Sequence, residues 1–134
     1  MASIIELAPK REKKKAKRLK EPKNVGCIIQ ARMGSVRFPG KVLKPLLGKP
    51  VLEHVIERAK LIRIMHPYTV VVASPDLPEN EPIFELTDSL FTPSFAGNNL
   101  NVLERYYECA LTHNFDIIMR ITADCPFIDH IVCE

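Results

Sequence analysis

The chain has 134 residues, of which 46% are hydrophobic and 26% charged. This size and composition are typical of a single soluble domain with its own core. No apolar run approaches the roughly 20 residues of a membrane-spanning helix. The N-terminus also lacks the apolar stretch of a secretory signal. The sequence therefore predicts one domain located in the cytoplasm.

The net charge of +3 is unevenly distributed along the chain. Nine of the 19 basic residues lie in 10–23, whereas 1–23 holds three of the 16 acidic residues. The remainder, 24–134, carries ten basic and 13 acidic residues, a net charge of −3. We predict a disordered basic arm over 1–23. The arm has no aromatic residue for base stacking, which favours a solvated leader over the alternative of weak nucleic-acid contact.

The four cysteines form no C-x-x-C pair and lie at no zinc-ligand spacing from a histidine. Single buried thiols are therefore expected at Cys27, Cys109, Cys125 and Cys133. Cys125 differs from the other three cysteines, because it directly follows Asp124, whose carboxylate could take part in a site.

Apolar runs without polar interruption predict buried strands at 25–29, 68–74 and 115–122. Residues 91–99 are expected to be irregular, with a short edge strand. Such runs are typical of strands that are covered on both faces of a sheet.

Helical periodicity predicts three helices between these strands. The first covers 51–64, and the second runs from about 81 to 90 with Asn80 as its cap. A capping box of Asn101 and Glu104 begins the third, which ends near residue 113. Its apolar side is expected to consist of Leu103, Tyr106, Tyr107, Ala110 and Leu111. Strands that alternate with helices predict an α/β fold with a mostly parallel sheet.

Three loops follow the predicted strands, at 31–41, 74–80 and 123–129. In parallel α/β sheets, ligands bind beyond the carboxyl ends of the strands. All three loops carry polar or charged residues, so the sequence predicts a binding site where they meet.

The first loop, ARMGSVRFPGK, has the composition of an anion-binding loop. Gly34 and Gly40 permit positive φ and a close approach of backbone N–H groups to a ligand. The loop also offers one hydroxyl and three cations, which are Ser35, Arg32, Arg37 and Lys41. Its glycine spacing matches neither the Walker A motif nor G-x-G-x-x-G. An ordinary basic surface turn remains the alternative.

Asp124 follows the last predicted strand directly. A carboxylate at that position, facing a cationic loop, can hold Mg²⁺ that bridges substrate phosphates. A helix cap, or a salt bridge to Arg120, is the structural alternative.

Four segments together resemble a known family: 28–60 (IIQARMGSVRFPGKVLKPLLGKPVLEHVIERAK), 70–83 (VVVASPDLPENEPI), 101–110 (NVLERYYECA) and 118–129 (IMRITADCPFID). They are similar to the cytidylyltransferases that activate acidic sugars. The most similar branch is called spore coat polysaccharide biosynthesis protein F, which is related to CMP-KDO and CMP-acylneuraminate synthetases.

The resemblance implies a Rossmann-type, three-layer fold like that of the nucleotide-diphosphosugar transferases. It implies Mg²⁺-dependent nucleotidyl transfer, with CTP as donor and a sugar acid as acceptor, in polysaccharide or glycoconjugate synthesis. Full-length relatives are expected to be homodimers. The likeness covers only the N-terminal part of a family domain, so the acceptor region is expected to be missing. A truncated, non-catalytic nucleotide-binding or scaffold protein with an anion-binding arm is the alternative.

The resemblance also implies roles for individual residues. The triphosphate is expected to contact Arg32, Gly34, Ser35, Arg37 and Lys41. Among these, Arg32 and Lys41 would neutralise the leaving group.

The resemblance further places the base or ribose near Gln30 and Ala31, with Ser74 and Asp76 close to the nucleobase. It assigns Asp124 to magnesium. Two departures from the family pattern are Val36, which lacks a hydroxyl, and Ala123, whose Cβ would strain a backbone with positive φ.

Overall fold

The computed structural model of the chain describes residues 2–6 and 23–134. Its centre is a five-stranded sheet in the order β1-β7-β2-β5-β6. The strands are β1 (Ser3–Glu6), β2 (Val25–Gln30), β5 (Tyr68–Pro75), β6 (Ser94–Gly97) and β7 (Ile117–Thr122), and β3 (Pro45–Leu46) with β4 (Lys49–Pro50) forms a separate small hairpin. Within the described ranges, no helix is long and apolar enough to cross a membrane.

Four of the five strands run parallel, since β2 pairs with β5 and β7, and β5 pairs with β6. The three helices between them are α1 (Val51–Lys60), α2 (Glu81–Ser89) and α3 (Val102–Thr112). The predicted α/β class and the mostly parallel sheet are therefore confirmed. The first helix is shorter than predicted, because the chain leaves helical geometry after Leu61.

The core lies in two layers, one on each face of the sheet. Alternate residues of β2 point to opposite sides, so Ile29 joins the layer under α1 and α2, whereas Ile28 joins the layer under α3. Both side chains are fully buried. Helices on both faces explain why these strands are apolar without alternation.

A close contact between β2 and the start of β7 explains one glycine. A Cβ built on Gly26 would lie 2.1 Å from the ring of Phe115. Phe115 precedes β7, which begins at Ile117 rather than at residue 115 as predicted. The absence of a side chain at Gly26 therefore lets Phe115 pack directly on the strand.

The structure differs from the sequence analysis at the N-terminus. Ser3–Glu6, which were assigned to a disordered arm, form β1 and pair antiparallel with β7. The short apolar stretch there suits an edge strand that continues the sheet. The basic run at 7–22, with its expected solvent exposure and nucleic-acid alternative, lies outside the described residues.

The predicted apolar side of α3 is only partly correct. Tyr106 and Ala110 are buried as expected, but Leu103 and Leu111 are 73% and 57% exposed. Arg105, which was not predicted on the apolar side, is buried instead. The reason is the rotation of α3 about its axis, which places the 105–106–109–110 side on the sheet.

Candidate functional site

The carboxyl ends of β2, β5 and β7 lie side by side. Gln30 is in register with Ala73 of β5 and with Thr122 of β7. The pairing continues one residue further, because the Ala31 N–H donates to the Ala73 carbonyl and the Ala123 N–H to the Gln30 carbonyl, both at 3.0 Å. The three loops predicted to form a site therefore begin at the same end of the parallel strands, which is their carboxyl end.

A cleft of about 190 Å³ opens between the first and third loops. Its lining residues are Gln30, Arg32, Ser35, Lys41, Val42, Arg120, Thr122, Ala123 and Asp124. Five residues named by the sequence analysis thus face a common space. They come from positions up to 94 apart in the chain.

The first loop is folded back on itself by a hydrogen bond of 2.9 Å from the Gly40 N–H to the Met33 carbonyl. Gly40 has φ of 66°, a left-handed conformation that favours glycine. The positive φ expected at Gly34 is absent. Gly40 directly precedes the 3₁₀ turn Lys41–Leu43, and Val42 of this turn is buried. This anchoring holds Lys41 at the rim of the cleft.

Lys41 and Asp124 form an ion pair across the cleft, with 2.6 Å between Nζ and Oδ2. Hydrogen bonds from Lys41 and then Thr122 hold the pKa of the Asp124 carboxyl below its usual value. The partner of Asp124 is thus Lys41, and not Arg120 as the structural alternative proposed. Both side chains remain accessible, at 35% and 44% exposure, so a ligand can reach them.

Asn80 joins the first and second loops. Its Oδ1 accepts a hydrogen bond from the Met33 N–H at 2.8 Å, and its Nδ2 donates to the Pro75 carbonyl at 3.0 Å. The side chain is fully buried and makes no capping bond to α2. Its predicted role as a helix cap is therefore wrong. Asn80 instead fixes the distance between two loops of the site.

The structure does not bring every predicted residue to the cleft. Ser74 is fully buried, and its Oγ has no hydrogen-bond partner within the described part of the chain. Gly34, Arg37 and Asp76 are exposed but are not among the residues that line the cleft. Ala31 is buried and is likewise not among the lining residues.

The two departures from the family pattern have small structural consequences. Ala123 has no positive φ, and its side chain packs into the core layer under α1. The strain expected there is absent. Val36 is fully exposed at the tip of the first loop.

The sequence analysis did not assign Arg120 or Thr122 to the site. Both lie on β7 on the same side as Ile118, whose side chain belongs to the core layer under α3. The signal was present in the alternation of a strand, since every second residue before Asp124 faces one side. The alternation does not show that this side of β7 lines the cleft at the carboxyl end of the strand.

Arg105 fixes the loop that follows β6, near the same carboxyl ends of the strands. Its guanidinium donates to the Asn98 carbonyl at 3.0 and 2.6 Å and to the Asn99 carbonyl at 3.2 Å. Burial, together with the nearby charge of Arg32, lowers the pKa of Arg105. Asn101 is confirmed as the cap of α3, because its side chain accepts from the Glu104 N–H. The reciprocal bond of a capping box is not formed, since the Asn101 N–H donates to Asn98 Oδ1 instead.

Cys27, Cys109 and Cys133 are free thiols. Burial raises the pKa of Cys27 and Cys109 to about 12, so both stay protonated. Cys125 and Cys133 are only partly buried, contrary to expectation. A hydrogen bond with Thr122 lowers the pKa of Cys125.

The residues at the cleft suit a magnesium ion that is carried mainly by substrate. Among residues 2–6 and 23–134, no group of three His, Cys, Asp or Glu side chains is arranged to hold a metal. Asp124 supplies one accessible carboxylate, which is the hard oxygen ligand that Mg²⁺ prefers. Mg²⁺ in nucleotide sites is commonly bound by one or two carboxylates plus phosphates, so this donor set fits such an ion.

The fold and the cleft define an α/β protein with a cationic, carboxylate-containing site at the carboxyl ends of parallel strands. A family model described as cytidylyltransferase matches residues 26–134. The chain belongs to the cytidylyltransferase family.

Individual relatives agree with this assignment. An uncharacterized protein of Methanocaldococcus jannaschii is 38% identical over 99 residues, which are 74% of this chain and 40% of that protein. The 8-amino-3,8-dideoxy-manno-octulosonate cytidylyltransferase of Shewanella woodyi is 33% identical over 111 residues, covering 83% and 45% of the two chains.

Solved structures show the same fold. A cytidylyltransferase from Leptospira borgpetersenii superposes with a TM-score of 0.76 at 35% identity, over 83% of this chain and 46% of that one. A CMP:2-keto-3-deoxy-manno-octonic acid synthetase complexed with CTP gives a TM-score of 0.70 at 27% identity, over 83% and 44%. The chain thus spans less than half the length of these four proteins.

Proposed function

We propose that this chain is the nucleotide-binding portion of a cytidylyltransferase that transfers CMP from CTP to a sugar acid, for polysaccharide or glycoconjugate synthesis. One observation carries the proposal: the cleft places Arg32, Ser35 and Lys41 of the first loop opposite the carboxylate of Asp124. Family membership over residues 26–134 supports it. So do relatives whose names specify octulosonate acceptors.

In the proposed reaction, an acceptor oxygen attacks the α-phosphorus of CTP in line. The new P–O bond forms as the bond from the α-phosphorus to the β-phosphate oxygen breaks, and pyrophosphate leaves. Negative charge grows on the leaving oxygens, and preorganised cations stabilise it. Arg32 and Lys41 are the residues we assign to this task, because both line the cleft.

Lys41 is suited to this role by its position and chemistry. Its ammonium has three donors, of which Asp124 takes one. The remaining donors can bind phosphate oxygens without breaking the ion pair. Ser35 adds a hydroxyl from the same loop.

Asp124 is the residue that would hold Mg²⁺. When bound, the ion would supply charge neutralisation to the phosphates. Asp124 would in addition keep Lys41 oriented toward the cleft through the 2.6 Å contact.

Thermal unfolding in the presence of CTP tests the proposal. At 100 times Kd, a ligand stabilises the folded state by about 2.7 kcal/mol, so the midpoint should rise by roughly 5 °C or more. The shift should be larger with Mg²⁺ than with EDTA, and larger for CTP than for ATP, GTP or UTP at equal concentration.

Matched variants test whether CTP stabilises the chain by binding in the cleft. Lys41→Met and Asp124→Asn should abolish most of the shift, whereas Lys44→Met should preserve it, because Lys44 is exposed and does not line the cleft. A wild-type chain that CTP does not stabilise would contradict the proposal. That result, together with retained RNA or partner binding, is what the scaffold alternative predicts.

The remaining parts of the proposal concern the whole protein. A cytoplasmic location is supported by the free thiols of Cys27, Cys109 and Cys133. Homodimerisation rests on the resemblance and is tested by size-exclusion chromatography with light scattering. The nucleic-acid alternative for the arm predicts salt-dependent RNA binding that is lost when residues 1–23 are deleted.

A further inference from the structure

Arg120 presents a guanidinium to the cleft from β7. It lies on β7 in register with Ile28, and it lines the cleft. Its Cζ is 6.0 Å from the centre of the Tyr106 ring on α3. Arg120 therefore reaches the cleft from the α3 side of the sheet.

The cations of the cleft come from two separate segments. Arg32 and Lys41 belong to the first loop, whereas Arg120 belongs to β7, and all three line the cleft.

Tyr106 supports Arg120 without neutralising it. The phenol donates a hydrogen bond of 3.4 Å to Oε1 of Gln30, another residue of the cleft. Burial raises the pKa of Tyr106, so the ring stays uncharged. A contact with an aromatic ring leaves guanidinium N–H donors available.

Arg120 has no acidic partner among the side chains that the structure describes. No carboxylate of these side chains lies within 4 Å of its guanidinium, whereas Lys41 and Lys49 both have one. The neighbouring guanidinium of Arg105 is directed to backbone carbonyls. A cation at a cleft with no acidic partner is suited to an anionic ligand group.

We propose that Arg120 binds the carboxylate of the sugar-acid acceptor. This inference rests on the proposed function, and it revises the expectation that all acceptor contacts lie outside this chain. The first loop and Asp124 account for the triphosphate, and the reaction brings a second anionic substrate to the same cleft. Arg120 supplies a planar fork that matches a carboxylate, from a strand that carries none of the residues assigned to the triphosphate.

A matched pair of ligands tests the inference directly. Binding of 3-deoxy-manno-octulosonate and of its uncharged methyl ester is measured by calorimetry or NMR titration, for wild type, Arg120→Gln and Arg63→Gln. Arg63 is exposed and follows α1, so its variant has the same net charge with the cleft intact.

The wild type and Arg63→Gln should both prefer the acid over the ester by about tenfold or more, the usual strength of a charged hydrogen-bonded pair. Arg120→Gln should remove this preference and change the Kd for CTP by less than about twofold. Circular dichroism and the unfolding midpoint verify that the variant is folded.

Three results would overturn the inference. These are a wild type with no preference for the acid, a preference that survives in Arg120→Gln, and a variant that loses CTP binding instead, which would assign Arg120 to a nucleotide phosphate. Failure of the inference is distinguishable from failure of the proposed function. A chain that binds CTP without preferring the acid contradicts the inference alone, and a chain that binds neither contradicts both.

Discussion

At the scale of single residues, Asn80 connects loops that are remote in sequence. It satisfies the Met33 N–H and the Pro75 carbonyl from a fully buried position. Its two hydrogen bonds span 47 and five residues of sequence. Small polar side chains before a helix normally indicate a cap, so local pattern alone favours the wrong partner.

We expect Asn80→Ala to lower the free energy of unfolding by about 2 kcal/mol, because two buried backbone groups lose their partners. CTP affinity should fall as well, since the first loop loses its tether to the second. Urea unfolding and calorimetry measure the two effects. Ser89→Ala is the control, because its hydroxyl is exposed and its loss should cost less than about 0.5 kcal/mol. Equal stabilities of the two variants would show that the tether is unimportant.

The Lys41–Asp124 pair predicts a small dependence of stability on pH. The pKa of Asp124 is lowered in the folded protein, so its contribution is present above the unfolded value of about 4. The contribution is lost as the pH falls through the lower, folded value. Because both side chains are partly exposed, it should not exceed about 1 kcal/mol.

Asp124→Asn should therefore be slightly less stable than wild type at pH 7, in EDTA. The difference should shrink as the pH is lowered below about 4, as followed by urea midpoints at each pH. A gap that widens on acidification would contradict the sign of the pKa shift. A gap well above 1 kcal/mol at pH 7 would mean that the pair acts as a buried one.

At the scale of elements, α3 has apolar side chains on its exposed side as well as on its buried side. Leu103, Tyr107 and Leu111 are spaced four apart and form an exposed stripe, while Tyr106, Cys109 and Ala110 contact the sheet. Sequence periodicity places all of these on neighbouring helical rows. Only the packed structure shows which row faces the core.

The same substitution on the two sides of α3 tests this orientation. Leu103→Gln and Leu111→Gln should each change the free energy of unfolding by no more than about 0.5 kcal/mol, because both positions are exposed. Ala110→Gln places a long polar side chain at a position with 1% exposure, and should cost more than about 2 kcal/mol. Chemical denaturation compares the three. A reversed order would mean that α3 is rotated about its axis.

At the scale of the whole molecule, β1 is the edge strand that covers β7. Ser3–Glu6 pair with Ile117–Arg120, so β7 is covered on both sides by strands. Without β1, a row of β7 backbone groups would be open to solvent or to another chain.

Deletion of residues 2–6 should accelerate hydrogen exchange at those amides of Ile117–Arg120 that point toward β1. The amides of β5 are the internal control, because their partners in β2 and β6 are unaffected. Self-association should increase as the edge is exposed, which light scattering detects. Unchanged protection throughout β7 would show that β1 does not pair in solution.

Much of the fold is readable from residues near one another in the chain. The apolar runs at Val25–Gln30 and Tyr68–Pro75 are strands as predicted, and Asn101 caps the start of α3. The β1 strand was not predicted, because four residues beside a strongly basic run carry too little periodicity. Its pairing depends on β7, more than 100 residues away.

The candidate site divides in the same way between local and distant information. The sequence by itself determined that the first loop is cationic and contains glycines, because loop composition is a local property. Which of the two glycines takes a positive φ was decided by the fold, which places it at Gly40 and not at Gly34. The tertiary structure alone decided that Lys41 meets Asp124, 83 residues later, that Asn80 ties the loops together, and that Arg120 faces the cleft. These contacts depend on strand order, register and helix rotation, which arise only when distant segments pack.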